Sequence, residues 1–165
     1  MSSAKISAAE VLQRLNAEHL TLCTAESCTG GLVGKLITDV PGASSVYVGG
    51  VISYTNEIKH RVLGVSRDTL AQYTAVSAET AGEMARGARR MLGADIAVSI
   101  TGLAGPDGDG TGRPVGLVYI ALDRAAGCLV QELHLTGDRA AVRGAAAQAI
   151  FALLLEALSD SEGRV

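Results

Sequence analysis

Tryptophan is absent from this chain, and aromatic residues of any kind are scarce: four tyrosines and one phenylalanine. Surfaces that stack bases or anchor a protein partner draw on aromatic rings, so neither use is expected to dominate. Cysteine is equally sparse. Cys23, Cys28 and Cys128 form no CxxC pair, and an odd count argues against a disulfide scaffold. His19, His60 and His134 are scattered, with no HExxH or comparable spacing, so neither a metal nor a cofactor is expected. No block of lysine or arginine stands out. The densest basic group, Arg86, Arg89 and Arg90, reads as the wet face of a helix, and the net charge is -3. Nucleic acid is therefore not an expected partner. No apolar run approaches the ~20 residues of a membrane span. The longest, Ala149 to Leu155, reads as a buried helix, and the first residues carry no apolar leader segment. A cytoplasmic chain with no membrane partner is the expectation.

What is present fits a packed core. The 165 residues are 48% apolar and 19% charged, which suits one domain over residues 1–165 with its core at about 7–158 and argues against disorder. Ser7 followed by Glu10 predicts a capped helix from about Ala8 to Glu18. Thr21 to Thr24 reads as a short buried strand, and Thr29 as the cap of a helix running to about Thr38. Val46 to Tyr54 is a strand rich in Val, Ile and Tyr. Asn56 is expected to cap a short helix ending near Gly64, Ser66 to open another turn or two, and Ser77 to cap a longer helix through Leu92. In that helix Ala81, Met84, Ala85, Ala88 and Met91 face inward. Asp95 to Ile100 is the next strand. Val115 to Leu122 and Leu129 to Leu135 form an antiparallel pair around a tight turn. A last helix runs from Arg139 to about Leu158, and residues 159–165 are expected to fray. The alternation predicts an α/β fold: three layers, α/β/α, around a sheet of mixed parallel and antiparallel strands.

Three segments are candidates for chemistry. Ala25-Glu26-Ser27-Cys28-Thr29-Gly30-Gly31 lies between a strand and a helix, where free backbone N–H groups suit a phosphate or carboxylate; a tight turn with an N-cap fits the same residues equally well. It is neither a P-loop nor a dinucleotide fingerprint. The loop from Thr101 to Gly112 holds five glycines in twelve residues, so its backbone can approach a ligand, and a plain flexible loop has the same composition. Ser44-Ser45, Tyr54 and Lys59 lie between them. A serine with a lysine base is a way to make a nucleophile without histidine, provided the lysine is held neutral. Finally, Arg139 opens the last helix, with Arg143 one turn later. The helix dipole disfavours cations there, which hints at a task such as holding an anion or pairing with Asp138.

Taken in order, these segments resemble the C-terminal domain family of the competence-damage-inducible proteins, whose stand-alone members include nicotinamide-nucleotide amidases. The resemblance rests on Ala25 to Gly31, Ser53-Tyr54-Thr55-Asn56-Glu57-Ile58-Lys59, Ala75-Val76-Ser77, Thr101 to Gly108, Pro114-Val115-Gly116 and Gly137-Asp138-Arg139. It implies hydrolysis of the carboxamide of nicotinamide mononucleotide to nicotinic acid mononucleotide and ammonia, a step of pyridine-nucleotide salvage, without a cofactor. It places the nucleophile on Ser44 and its base on Lys59, with Ser27 and Tyr54 in support. Thr29, Gly30, Thr101, Gly102, Gly105 and Arg139 are the expected substrate contacts. Where the family often has two serines after Pro-Gly, Ala43 takes the first place here and Ser44 the second, and Ser45 leaves the register open. The resemblance also implies self-association into a homo-oligomer. Some relatives carry a further N-terminal domain linked to pyrophosphatase activity, which is not expected of these residues. The alternative reading is a non-catalytic nucleotide- or partner-binding module linked to competence or DNA repair.

Overall fold

The computed structural model describes residues 5–162. Helix α1 (Ala8–Ala17) starts at Ser7, whose hydroxyl accepts a hydrogen bond from the Glu10 amide at 3.1 Å. It leads into strand β1 (Leu22–Glu26), helix α2 (Leu32–Thr38), a 3-10 turn at Ala43–Ser45 and strand β2 (Tyr47–Ile52). Helices α3 (Asn56–Leu63), α4 (Arg67–Tyr73) and α5 (Ala78–Leu92) follow, then strands β3 (Ile96–Gly102), β4 (Leu117–Arg124) and β5 (Gly127–His134), and the long helix α6 (Arg139–Glu162). The sheet order is β2-β1-β3-β4-β5. β1 is parallel to both β2 and β3, while β4 and β5 run antiparallel. The expected α/β class with a mixed sheet is the observed one.

The two faces of the sheet carry different residues. On one face Leu22, Ile96, Val98, Ile100, Val118, Ile120 and Leu122 pack against Val11 and Leu15 of α1, Val33 and Ile37 of α2, and Ile150, Phe151 and Leu154 of α6. The other face is lined by small residues, because strand side chains alternate. Cys23, Ala25 and Ala97 meet Leu63, Met84 and Ala88, and Ala121 meets Ala81 and Ala85. Small residues let α5 approach closely: the Ser99 hydroxyl donates to the Ala81 carbonyl at 2.6 Å. Gly87 extends this closeness to the next layer. A Cβ there would lie 1.8 Å from the Leu63 carbonyl oxygen, so glycine is what allows α3 to cross α5.

Several boundaries differ from the sequence reading. Thr55, not Asn56, caps α3, accepting from the Ile58 amide at 3.3 Å. Met91 is exposed, because the inward stripe of α5 continues from Ala88 to Leu92, four residues on, and leaves Met91 beside it. Helix α6 continues through Glu162 where fraying was expected; residues 163–165 of that segment lie outside the described residues. By length and composition Arg139–Ser159 resembles a membrane span, but half of its apolar window is buried and Ala146, Ile150, Phe151 and Leu154 are core residues. It is a core helix of this fold.

Candidate active site

After β1 the chain turns to α2 on one face of the sheet. After β2 it turns to α3 on the other. Connections that part this way leave a crevice beyond the carboxyl ends of the strands. A cavity of about 280 Å³ opens there, lined by Ser27 and Cys28 after β1, Tyr54 and Lys59 after β2, and Thr101 to Gly105 at the end of β3. Ala75, Val76, the aspartates 107 and 109 and Arg139 complete its wall.

Lys59 is the chemical centre of this cavity. It is 1% exposed and stands on α3, whose cap and Gly64 terminus fix where the side chain enters. Its Nζ donates to the Ser27 Oγ at 2.9 Å and to the Ser53 carbonyl at 2.7 Å. No carboxylate bonds it among the described residues. Burial therefore penalises the ammonium, and the pKa falls to about 8, the thiol of Cys28 acting weakly in the opposite sense. About a tenth of the amine is then neutral at pH 7, enough for a general base. Burial pushes the neighbouring Cys28 thiol up to about 11, so it stays protonated and is no nucleophile at neutral pH.

The serine that meets the lysine is Ser27. Its N–H donates to the Ile100 carbonyl and its own carbonyl accepts from the Gly30 amide, both at 3.0 Å, so the backbone is held on both sides of the hydroxyl. Ser44, the expected nucleophile, lies elsewhere. It sits exposed in the 3-10 turn before β2, does not line the cavity, and makes no hydrogen bond to Lys59 among the described residues. Ser45 is turned back on the Gly42 carbonyl at 2.9 Å. The Pro-Gly turn delivers Ser44 to the surface at the opposite end of β2 from Tyr54 and Lys59, so the expected Ser44–Lys59 pair is not formed.

The helix start after Ser27 is also not an empty anion site. Glu26, 2% exposed, turns its carboxylate onto it: Oε2 accepts from the amides of Gly31 and Val33 at 3.1 Å each, and Oε1 from Gly34 at 2.9 Å. A protein side chain already satisfies the donors that a phosphate would need. Gly31, with φ of +97°, is the residue at the cap position. Thr29 does not cap α2; it is fully buried and its Oγ1 has no hydrogen-bond partner. Neither Thr29 nor Gly30 lines the cavity, so their expected role as substrate contacts is not supported.

The remaining expected residues do converge. Thr101, Gly102 and Gly105 line the cavity, although the Thr101 hydroxyl is committed to the Ala75 carbonyl at 2.6 Å. Arg139 reaches across the mouth, donating to the Gly105 carbonyl at 2.7 Å and the Tyr54 hydroxyl at 3.1 Å. Asp138 does not pair with it, but caps α6 through the Ala141 amide at 2.9 Å. Two groups were not anticipated. The Ser53 hydroxyl is buried without a partner beside Lys59. Arg113 holds the 73–76 segment, part of which walls the cavity, through the carbonyls of Tyr73 and Val76 and the Thr74 hydroxyl. Neither signals itself locally in sequence.

The family model of the CinA C-terminal domain matches residues 4–158. The chain belongs to the CinA C-terminal domain family. A CinA-like protein from Geobacter sulfurreducens is 52% identical over 124 residues, covering 75% of this chain and 30% of that protein. Another from Syntrophomonas wolfei is 49% identical over 139 residues, covering 84% of this chain and 33% of that protein. The chain thus spans about a third of the length of these relatives. Solved structures match it over more than nine-tenths of its length. A competence-damaged protein (CinA) superfamily protein from Klebsiella pneumoniae superposes with a TM-score of 0.91 at 37% identity, covering 93% of this chain and 96% of that one. The competence/damage inducible protein CihA from Agrobacterium tumefaciens gives 0.85 at 37% identity, covering 96% and 99%. This CinA domain therefore shares both its sequence family and its mixed five-stranded architecture with them.

Proposed function

We propose that this CinA domain is an amidohydrolase that converts nicotinamide mononucleotide to nicotinic acid mononucleotide and ammonia, with Ser27 as nucleophile and Lys59 as its base. The observation that carries the reading is the buried Lys59–Ser27 hydrogen bond, 2.9 Å long, on the wall of a cavity of mixed polar and apolar lining. A lysine with no carboxylate, a pKa near 8 and a serine hydroxyl in contact is what Ser-Lys chemistry requires.

Neutral Lys59 donates to the Ser53 carbonyl and accepts the Ser27 proton as Oγ bonds to the carboxamide carbon. The Cys28 N–H, beside the nucleophile, exchanges its contact with its own thiol for one to the developing oxyanion. The C–N bond then breaks, and the Lys59 ammonium returns its proton to the departing nitrogen, releasing ammonia. Water attacks the ester, Lys59 takes its proton and restores the Ser27 hydroxyl, and the acid leaves as carboxylate, its proton passing to the ammonia in solvent. Arg139, at the mouth, is the cation suited to the nucleotide phosphate, exchanging its bond to Tyr54 for one to the ligand.

The test is ammonia release from nicotinamide mononucleotide, with free nicotinamide and glutamine as controls. Turnover of the nucleotide with little turnover of the controls supports the reading. Binding of the nucleotide without ammonia release would leave a binding module and overturn it.

A further inference from the structure

We infer that Arg143 is a positioning residue for Ser27, an inference that rests on Ser27 being the nucleophile. Arg143 lies half-buried on α6, one helical turn after Arg139, and does not line the cavity. Its Nε donates to the Cys28 carbonyl at 3.1 Å and a terminal nitrogen to the Thr29 carbonyl at 2.7 Å. No carboxylate pairs with it among the described residues, and both of its printed hydrogen bonds go to carbonyls of the turn that follows Ser27.

The connection to Ser27 runs through peptide geometry. In a trans peptide the carbonyl and the following N–H point in opposite directions. When Arg143 draws the Thr29 carbonyl toward α6, the Gly30 N–H on the same peptide is turned away, onto the Ser27 carbonyl at 3.0 Å. One peptide is thus held at both ends, its carbonyl by Arg143 and by the Leu32 amide at 3.1 Å, its N–H by the residue that carries the nucleophile. The second bond, to Cys28, holds the adjoining peptide by its carbonyl. The loop needs such a hold. Gly30 and Gly31 have φ of +58° and +97°, and glycine leaves the backbone many alternatives. On its far side the Glu26 carboxylate holds α2, so Arg143 closes the remaining side of the turn. Arg143 contributes nothing to the lowered pKa of Lys59, which comes from burial. Its effect falls on geometry.

The experiment compares the wild type with Arg143→Met and Arg143→Lys, measuring kcat and KM for ammonia release, the pH profile, and the rate at which a fluorophosphonate probe labels Ser27. Arg143→Met is expected to lose on the order of 100-fold in both kcat and labelling rate, with KM and the pH midpoint unchanged. Arg143→Lys, with one fork of the bidentate donor lost, is expected to recover to within about tenfold of the wild type. Wild-type labelling in both variants would overturn the inference, as would a rise in KM at constant kcat, which would make Arg143 a substrate contact. If Arg143→Met does not fold by circular dichroism, the Lys variant decides on the same criteria. A wild type labelled at Ser27 yet inert toward the nucleotide would reject the proposed substrate alone, and the labelling rates would still judge Arg143. A wild type not labelled at Ser27 would reject both.

Discussion

Two serine-bearing turns of this molecule look alike in sequence and differ in everything that matters for chemistry. One, Glu26 to Gly31, follows the interior strand β1; the other, Gly42 to Ser45, follows α2 and leads into the edge strand β2. Ser27 is 8% exposed, held by backbone on both sides and bonded to a buried lysine. Ser44 is exposed in a one-turn 3-10 helix. A hydroxyl becomes a nucleophile only where something takes its proton, and a lysine takes a proton only where burial has made it neutral. The interior strand β1 supplies both conditions because its carboxyl end lies between β2 and β3.

The sharpest way to break this comparison is to exchange the two hydroxyls for hydrogen. Ser27→Ala is expected to lose ammonia release by on the order of 10⁴-fold or more while keeping its unfolding temperature. Residual turnover near wild type would remove Ser27 from the chemistry. Lys59→Met comes next, with a loss of about 10³-fold at pH 7. That variant also carries a stability signature. The folded pKa of Lys59 is about 8 and its ordinary value 10.5, so below pH 8 the fold bears the full cost of the buried ammonium. Between about 8 and 10.5 the unfolded chain binds more protons and wild-type stability rises with pH. Lys59→Met is therefore expected to be the more stable protein at pH 7, by at most about 3 kcal/mol, with the gap closing by pH 10.5 in thermal unfolding. An unchanged gap would mean that the lysine is not desolvated.

The wild-type pH profile gives the same group a kinetic reading. With the neutral amine as the proposed base, kcat/KM is expected to climb about eightfold from pH 6.5 to 7.5 and level off above about 9. A flat profile over that range would assign the base elsewhere. Gly87→Ala tests whether the pair depends on packing. Its Cβ would meet the Leu63 carbonyl at 1.8 Å and push α3, with Lys59, away from the sheet. Denaturant unfolding is expected to show a loss of about 1–3 kcal/mol, with activity falling further than stability. Equal activity at lower stability would mean that α3 moves without disturbing the lysine. The smallest effect is expected at Ser44: Ser44→Ala should stay within about twofold of wild-type kcat/KM, as exposed residues away from special features usually do. A severe loss there would reverse the comparison.

Much of this was legible in the chain. The caps at Ser7, Ser66 and Ser77 mark three helix starts because a hydroxyl before an apolar-periodic run satisfies a free amide wherever it occurs. The hairpin of β4 and β5 was readable from its short turn. Within the site, Tyr54, Lys59, Thr101, Gly105 and Arg139 were named from sequence, and the fold gathers all of them around one cavity. The cap of α2 was not legible, because Glu26 reaches forward from the strand to do what Thr29, by local pattern, was placed to do. Spacing along the chain cannot show which way a strand-end side chain turns.

By itself the sequence determined the local rules, where helices begin and where strands alternate, and through its resemblance to a family it offered Lys59 as the base of a serine. Only the tertiary structure decided which serine that amine meets. Ser44 is 15 residues from Lys59 and Ser27 is 32 residues from it, yet the more distant serine is the partner. The reason is topological. The parallel pairing of β1 with β2 brings Glu26 level with Ile52, so the residues that follow each strand emerge together, and Lys59 descends from α3 onto Ser27. Ser44 lies before β2, at the strand's other end, and no local feature of the chain could have told the two apart.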